Sequence, residues 1–178
     1  GLYPPDEIDF EGLSDQVEHL TMLVHDLHTL SLVDGQRLKF NAERVNLSSR
    51  FIPALIPVVR RFAAQKNIVF DAMLPEQLPE VCIDGDRLIQ ALVNVLHNAY
   101  RHTPQGGRVT FALMEADREV MIHISDTGEG IAPEDLPLLF DRYYSGGEGR
   151  AQGDKSGLGL SLARALIEGQ GGRITAAG

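Results

Sequence analysis

The sequence predicts an α+β fold preceded by a long helix, and three patterns support this fold class. Apolar residues near the N-terminus repeat at helical spacing, and two alternating segments further along predict paired strands, with amphipathic helices before and after them. Hydrophobic residues make up 43% of the 178 residues, which is enough for a sizeable core. The single cysteine, Cys82, leaves no internal disulfide and no cysteine-rich zinc site.

The N-terminal helix is predicted over Leu13–Val33. Its apolar positions alternate at spacings of four and three, which is typical of a coiled-coil seam. The seam residues are Leu13, Val17, Leu20, Val24, Leu27 and Ser31. Leu23 and Leu30 widen the apolar face, which favours a four-helix bundle over a simple two-stranded coil. Residues 36–47 are expected to form a short extended connection.

From Leu47 onwards the sequence predicts a mixture of helices and strands. In chain order the expected elements are a helix within Ser48–Lys66, a strand at Asn67–Met73, a helix at Asp84–His102, a hairpin of Arg108–Met114 and Glu119–Ser125, a helix at Gly157–Glu168 and a strand that begins at Arg173–Ala176. Pro53 and Pro57 place the start of the first of these helices late. Asp84 is expected to cap the next helix. Residues 145–156 are Gly-rich and polar, which indicates a loop.

Charge and hydropathy narrow the classes of partner. The formal net charge of −9 argues against a nucleic-acid-binding surface, which would need a basic patch. An anionic nucleotide remains compatible, because a divalent metal and helix N-termini can supply positive potential. The strongly apolar stretch Phe51–Val59 is far shorter than the ~20 residues of a membrane span. A cytoplasmic location is expected, within a larger protein whose other regions could anchor it in a membrane.

The first candidate site lies on the predicted helix at Asp84–His102. Asn94, Asn98 and Arg101 are spaced at i, i+4 and i+7, so they share one face of that helix. Amide oxygens suit a hard cation such as Mg²⁺, which prefers oxygen ligands. A solvated polar helix face would have the same composition, and this segment alone does not separate the two interpretations.

The second candidate is Asp126–Ile131, directly after an alternating strand. A carboxylate at a strand end can accept a hydrogen bond from an exocyclic amine such as that of adenine. Gly128 and Gly130 would let a ring lie against bare backbone. An ordinary Asp/Gly turn explains the same residues, so the segment is weak evidence by itself.

Two further segments follow along the chain. Leu139–Tyr144 contains aromatic residues that could anchor a lid and Arg142, which could reach a phosphate, although core packing explains Phe140 more simply. Gly157–Ser161 opens a helix and exposes backbone N–H groups where the helix dipole is positive, which favours phosphate. Lys155 adds a cation just upstream, although a loop lysine commonly serves solubility alone.

The order of these four segments identifies a family. The sequence from Leu47 to the C-terminus resembles the ATP-binding domain of bacterial sensor histidine kinases of two-component systems, within the superfamily shared with type II topoisomerases, heat-shock chaperones and mismatch-repair ATPases. The matching segments are Asn94–Thr103 for the N box, Asp126–Ile131 for the G1 box, Phe140–Tyr144 for the F box and Gly157–Leu160 for the G2 box. The resemblance implies a two-layer α/β sandwich with a mixed sheet over residues 47–178. Residues 1–46 would supply the second helix of a dimerisation hairpin.

The resemblance also implies that the cofactors are ATP and Mg²⁺. Asn98 would ligate the metal, Arg101 would contact phosphate, and Asn94 would lie near the phosphates on the same face. His102 would stand where an aromatic residue commonly flanks adenine, and Asp126 would bind the adenine amino group. The other nucleotide-binding residues would be Gly128, Gly130, Ile131, Gly157, Leu158 and Gly159.

The loop between Tyr144 and Gly157 would be the ATP lid, with the cations Arg142 just before it and Lys155 within it. Many kinases of this family carry an arginine where Ser145 stands, so the main lid contact to the γ-phosphate is either missing here or supplied by Arg142, Arg150 or Lys155. Asn94 occupies the position at which hydrolysing relatives carry a glutamate that activates water. An amide cannot act as a general base, which favours phosphoryl transfer over hydrolysis.

The resemblance implies phosphoryl transfer to a histidine and then to an aspartate of a response regulator. His25-Asp26-Leu27 is superficially similar to the acceptor motif, but no proline follows in the next turn. The segment Leu27–Asn46 also runs straight into the ATP-binding region, as the second hairpin helix does. We therefore expect Gly1–Asp9 to be the inter-helix loop, the first helix with its acceptor histidine to be absent, and this chain to bind ATP without phosphorylating itself.

The partners implied are a response regulator and, through the N-terminal helical segment, a second copy in the intact protein. No nucleic acid is expected, and any membrane contact would come only through absent regions. Two alternatives remain from the sequence: a hydrolysing ATPase or clamp of the same superfamily, and a dimerisation module whose nucleotide site has decayed. The chain also stops at Gly178, where relatives usually continue into a final strand.

Overall fold

The structure, a computed structural model, describes residues 10–35, 37–49, 51–117, 119–144 and 156–178. Its helices and strands are α1 (Phe10–Asp34), β1 (Glu43–Val45), α2 (Phe51–Gln65), β2 (Val69–Met73), β3 (Val81–Ile83), α3 (Gly85–His102), β4 (Arg108–Ala116), β5 (Glu119–Asp126) and α4 (Gly159–Glu168), with a short 3₁₀ turn at Leu136–Leu138. The chain divides into two units, residues 1–38 and 39–178.

The first unit contains α1, which includes the whole helix predicted at Leu13–Val33. Three residues of the predicted seam are largely exposed in this single chain: Leu20 at 59%, Val24 at 67% and Leu27 at 53%. The helix ends where the N–H groups of Arg37 and Leu38 both donate to the carbonyl of Leu32. None of the described helices is long and apolar enough to cross a membrane.

The second unit is built on a three-stranded mixed sheet, which confirms the predicted fold class. The strand order is β2-β4-β5, with β2 parallel to β4 and β4 antiparallel to β5. Inward-facing residues of β4, including Val109, Phe111 and Leu113, pack in one core cluster with apolar residues of α2 and α3. The two helices therefore cover one face of the sheet. Strands β1 and β3 form a separate antiparallel pair.

The pairing of β1 explains where the second unit begins. The segment 36–47, expected to be an extended connection, contains this strand, and its residues pair with Val81–Ile83. Because β1 is hydrogen-bonded within the second unit, the division falls between Leu38 and Lys39, ahead of the boundary expected after residue 46.

The two helices that cover the sheet start as their sequences predict. Helix α2 begins at Phe51, so Pro53 lies in the first turn, where its missing N–H breaks no helical hydrogen bond. Pro57 lies inside the helix and is exposed. Helix α3 is capped by Asp84, whose side chain accepts a hydrogen bond from the N–H of Arg87 at 3.2 Å.

The strand predicted at Arg173–Ala176 is wrong. Residues 172–178 are described, and they contain neither a strand nor a helix. A Cβ atom built on Gly178 would lie 2.5 Å from the carbonyl oxygen of Ile131, so the segment ends beside the turn that follows β5. A strand requires a partner along its length, and no described strand pairs with this segment.

Candidate functional site

Helix α3 carries four of the predicted site residues in its C-terminal half, namely Asn94, Asn98, Arg101 and His102. Asn94 lies beside the start of α4, because its Oδ1 is 3.6 Å from a Cβ atom built on Gly159. The Nδ2 of Asn94 is buried and has no hydrogen-bond partner among the residues that the structure describes. Since an unpaired buried amide costs about 1–3 kcal/mol, a ligand that accepts its hydrogen bond at the junction of α3 and α4 would be stabilised.

The turn after β5 begins at Asp126, whose Oδ1 accepts a hydrogen bond from the N–H of Gly128 at 2.8 Å. Thr127 fixes this turn to the start of β4: its N–H donates to the Arg108 carbonyl, and its Oγ1 accepts from the Arg108 N–H at 2.9 Å. The exposed Asp126 carboxylate is thereby held at the edge of the sheet. Sequence reasoning did not single out Thr127, although a hydroxyl beside a strand-end aspartate is a turn signal.

Gly128 lies directly against the end of α3. A Cβ atom at this position would be 2.7 Å from the His102 carbonyl oxygen and 2.6 Å from Oδ1 of Asp126, so no side chain fits. Gly130 adopts a φ of 77°, which favours glycine, and has open space around it. The contact between Gly128 and His102 joins the helix that carries Asn98 to the turn that carries Asp126.

His102 also contacts this turn through its side chain. Its Nδ1 lies 3.0 Å from Oε1 of Glu129. The predicted role of His102 was to flank adenine, and the structure places its ring at the same turn as Asp126. Glu129 was missed because a glutamate between two glycines carries no local signal of a partner 27 residues away.

The C-terminal end of α3 has a second attachment that the sequence did not predict. Lys66, just after α2, donates from Nζ to the carbonyl oxygens of Tyr100 at 2.8 Å and Arg101 at 2.9 Å. A cation at a helix C-terminus satisfies carbonyls that lack helical partners and interacts favourably with the helix dipole. The half-buried Arg101 is therefore held through its backbone carbonyl, and it also takes part in a further interaction within the chain.

The segments Phe140–Tyr144 and Gly157–Leu160 are neighbours. Gly157 has a φ of 59°, and a Cβ atom there would lie 2.7 Å from the Tyr144 carbonyl oxygen. The Tyr143 N–H donates to the Gly157 carbonyl at 3.0 Å. Tyr144 donates from its hydroxyl to Oδ1 of Asp135 at 2.5 Å, and this hydrogen bond raises the pKa of Tyr144.

The structure describes some of the remaining predicted site residues and leaves others outside its described ranges. Leu158 is buried at the start of α4, and Ile131 is half-buried in the turn after β5. Arg142 is exposed and takes part in an interaction within the chain. Lys155 and the other predicted lid residues, 145–155, lie outside the described residues, as does the predicted loop 1–9.

The side-chain oxygens at the candidate site suit a magnesium ion that arrives already bound to a phosphate. Among the described residues, no group of three or more His, Cys, Asp or Glu side chains could hold a metal ion. Mg²⁺ commonly keeps several waters and takes only one or two protein oxygens beside substrate phosphates. A half-buried amide such as that of Asn98 fits this requirement.

Comparison with known proteins decides the family. The sequence model described as histidine kinase-, DNA gyrase B-, and HSP90-like ATPase matches residues 83–178, more than half of the chain. The chain belongs to this ATPase family. The match contains all four segments that carried the resemblance, and it confirms that resemblance.

Sensor histidine kinases are among the relatives that the chain resembles. Sensor histidine kinase WalK of Bacillus subtilis (strain 168) is 34% identical over 167 residues, which cover 91% of this chain and 27% of WalK. The structure of Acinetobacter baumannii histidine kinase AdeS has a TM-score of 0.72 at 30% identity and covers 94% of this chain and 76% of AdeS. Full-length ShkA, in complex with AMPPNP, has a TM-score of 0.78 at 25% identity and covers 94% of this chain and 35% of ShkA. The chain thus spans about a quarter of WalK.

Proposed function

We propose that this chain is the ATP-binding catalytic part of a sensor histidine kinase, which transfers the γ-phosphoryl group of ATP to a histidine and thence to a response-regulator aspartate. One observation carries the proposal: the polar stretch of α3 contacts a glycine segment at each end, Gly159 beside Asn94 and Gly128 beside His102. Backbone N–H groups, two amides and the Asp126 carboxylate thereby surround one stretch of helix, as a nucleotide would require.

Each residue has a role in this proposal. Asp126 accepts from the adenine amino group, and His102 flanks the base. Asn98 supplies an oxygen to Mg²⁺, while Arg101 and the N-terminus of α4 at Leu158–Gly159 bind phosphate oxygens. Bound Mg²⁺ would neutralise phosphate charge, and catalysis of phosphoryl transfer consists mostly of positioning and charge stabilisation. The complex of ShkA with AMPPNP supports a nucleotide ligand for the shared fold.

Asn94 favours transfer to a histidine over hydrolysis. Its carboxamide has no basic form at neutral pH, so it cannot take a proton from an attacking water. A neutral imidazole needs no base, because its ring nitrogen is already nucleophilic. The identity to histidine kinases supports the same choice against an ATPase or clamp of the superfamily.

The assembly around this part is also a proposal. We place the acceptor histidine outside this chain, because the sequence after His25 lacks the proline of the acceptor motif. The exposed seam on α1 would pair with the first hairpin helix and with a second copy in the intact protein. The response regulator would dock on that helical region. The intact protein would be anchored in the inner membrane through other regions, with this part in the cytoplasm.

Calorimetric titration with Mg-ATP tests the proposal. Wild type is expected to bind, and Asp126→Asn is expected to lose at least about tenfold in affinity, or about 1.4 kcal/mol. The amide still accepts from the Gly128 N–H, so the turn is kept while the acceptor for the adenine amine is weakened. Asp117→Asn is the matched control, since it makes the same change in the hairpin turn between β4 and β5 and should bind as wild type does.

Three results would contradict the proposal in different ways. If wild type does not bind Mg-ATP, the chain is a dimerisation module whose nucleotide site has decayed. Unchanged affinity in Asp126→Asn would remove the adenine assignment. Fast, steady release of phosphate by the isolated chain would identify it as a hydrolysing ATPase.

A further inference from the structure

Glu129 bridges the turn after β5 and the end of α3. Its Oε1 lies 3.0 Å from Nδ1 of His102, and the two side chains remain 76% and 39% exposed. An ion pair this exposed contributes little to folding stability, about 0–1 kcal/mol at most. The contact therefore has more effect on the imidazole, which it orients, than on the stability of the fold.

A carboxylate restricts which nitrogen of the ring carries the proton. Glu129 when ionised can only accept a hydrogen bond, so Nδ1 of His102 must be the donor. In the neutral imidazole this leaves Nε2 without a proton, so the tautomer is the Nδ1–H form. The same hydrogen bond fixes the rotation of the ring about its side-chain bonds.

The backbone beneath this ring is held by separate contacts. The His102 carbonyl lies against Gly128, where no Cβ atom would fit. The carbonyls of the two preceding residues accept from Nζ of Lys66. His102 is thus held at both its backbone and its Nδ1, and neither contact uses Nε2 or the face of the ring.

We propose that Glu129 is a positioning residue for nucleotide binding, which holds His102 in the Nδ1–H tautomer with its ring set beside the base of a bound nucleoside triphosphate. This inference rests on the proposed function, because it assumes that a nucleotide occupies the junction of α3 and the Asp126 turn. Glu129 itself acts through His102 and has no contact with the nucleotide. Its loss should therefore weaken binding only when His102 is present.

The experiment combines a double-mutant cycle with a spectroscopic measurement. Mg-ATP affinity is measured by calorimetry for wild type, Glu129→Ala, His102→Ala and the double variant. Imidazole ¹⁵N shifts are recorded without nucleotide, in mildly alkaline buffer in which free imidazole is neutral. The signal that disappears in His102→Ala assigns the ring among the six histidines. Glu119→Ala is the control, because it removes the same charge at the opposite end of β5.

We expect Glu129→Ala to weaken Mg-ATP binding about threefold and to add no further loss in the His102→Ala background, as for two residues that act as a unit. The ¹⁵N shifts of His102 should report the Nδ1–H tautomer in wild type and its loss in Glu129→Ala. Glu119→Ala should change neither measurement.

Additive losses in the double variant would overturn the inference, because Glu129 would then act independently of His102. An Nε2–H tautomer in wild type would overturn it as well. Both results would leave the proposed function intact if wild type binds Mg-ATP. Failure of wild type to bind would remove the proposed function and this inference together.

Discussion

The two ends of helix α3 are held in different ways. At the N-terminal end, Asp84 is buried, with 7% exposure, and its carboxylate accepts from the N–H groups of Arg87 at 3.2 Å and Asn41 at 2.8 Å. Its own N–H donates to Oε1 of Gln170 at 2.6 Å, just beyond α4. Asn41, Arg87 and Gln170 all lie in the second unit, so each of these hydrogen bonds is internal to that unit.

At the C-terminal end, the contacts differ in burial, and two of the side chains that make them, Lys66 and Glu129, are exposed. Lys66 holds two carbonyls, Thr103 donates from Oγ1 to the Ala99 carbonyl at 2.6 Å, and His102 stays exposed beside Glu129. The comparison shows that one end of the helix is fixed around the buried Asp84 while the other presents side chains at the candidate site. Stability and nucleotide affinity should therefore respond to different substitutions.

The largest expected effect on stability is at the N-terminal end of α3, where Asp84 is buried. Asp84→Ala removes an N-cap and leaves the Asn41 and Arg87 N–H groups without their acceptor, so it should lower the free energy of unfolding by about 2 kcal/mol. The affinity of the folded protein for Mg-ATP should stay as in wild type, because the candidate site lies at the other end of α3. Urea unfolding followed by circular dichroism, together with calorimetry, checks both statements.

Asp86→Ala is the control for this substitution, since Asp86 is an exposed carboxylate in the same first turn. It should cost much less stability than Asp84→Ala. A large drop in the nucleotide affinity of folded Asp84→Ala would show that the two ends of the helix are coupled, and the comparison would then fail.

A smaller effect of opposite sign is expected at Tyr100, beneath the C-terminal end. Its ring packs near Phe70, with 6.4 Å between centroids, and its hydroxyl is buried without a partner among the described residues. Tyr100→Phe removes that unpaired group and should raise the free energy of unfolding by about 1 kcal/mol. Tyr144→Phe is the control, because it removes a hydroxyl that does have an acceptor and should not stabilise the protein.

The pH dependence of Tyr100→Phe adds a second check. Burial raises the pKa of Tyr100 above its ordinary value of 10.0. As pH rises past the unfolded-state value, the unfolded chain releases the phenolic proton first, so the folded wild type loses stability. The advantage of Tyr100→Phe should therefore grow above about pH 10. A destabilised variant would show that the hydroxyl has an unrecognised partner.

Local patterns predicted most of this fold. The amphipathic spacing of α3, its cap at Asp84 and the alternation of the β4–β5 hairpin are properties of neighbouring residues, and all three are confirmed. Arg173–Ala176 shows the limit of such reasoning, because a strand depends on a partner that the local sequence does not specify. The short strands β1 and β3 were missed because three residues carry too little periodicity.

The candidate site likewise has features that the local sequence predicts and others that it does not. Glycine segments and the helix face of Asn94 and Asn98 follow from spacing, and the structure brings Gly159 and Gly128 to that helix. The partners of His102 and of the α3 carbonyls do not follow from spacing. Glu129 and Lys66 reach them from 27 and about 35 residues away, through tertiary packing that no local pattern encodes.

The smallest expected effect on stability is at Lys66, beside the C-terminal end of α3, where the candidate site lies. This residue gives the most direct test of the difference between the two ends of the helix. Lys66→Met keeps much of the side-chain length but removes the cation from the carbonyls of Tyr100 and Arg101. Since this contact is near solvent, the stability loss should be only about 0.5 kcal/mol. Mg-ATP affinity should nevertheless fall about threefold, because the last turn of α3 carries Arg101 and His102 and would fray.

Calorimetry of Lys66→Met is compared with Lys66→Arg, which keeps the charge and should recover most of the affinity, and with Lys39→Met, which removes an exposed charge elsewhere in the second unit. Asp84→Ala should thus lower the free energy of unfolding and leave the Mg-ATP affinity unchanged. Lys66→Met should instead lower the Mg-ATP affinity and change the free energy of unfolding only slightly. If Lys66→Met lowered the free energy of unfolding as much as Asp84→Ala does and left the Mg-ATP affinity unchanged, the C-terminal end would be as structural as the N-terminal end. The separation of the two ends of α3 would then be wrong.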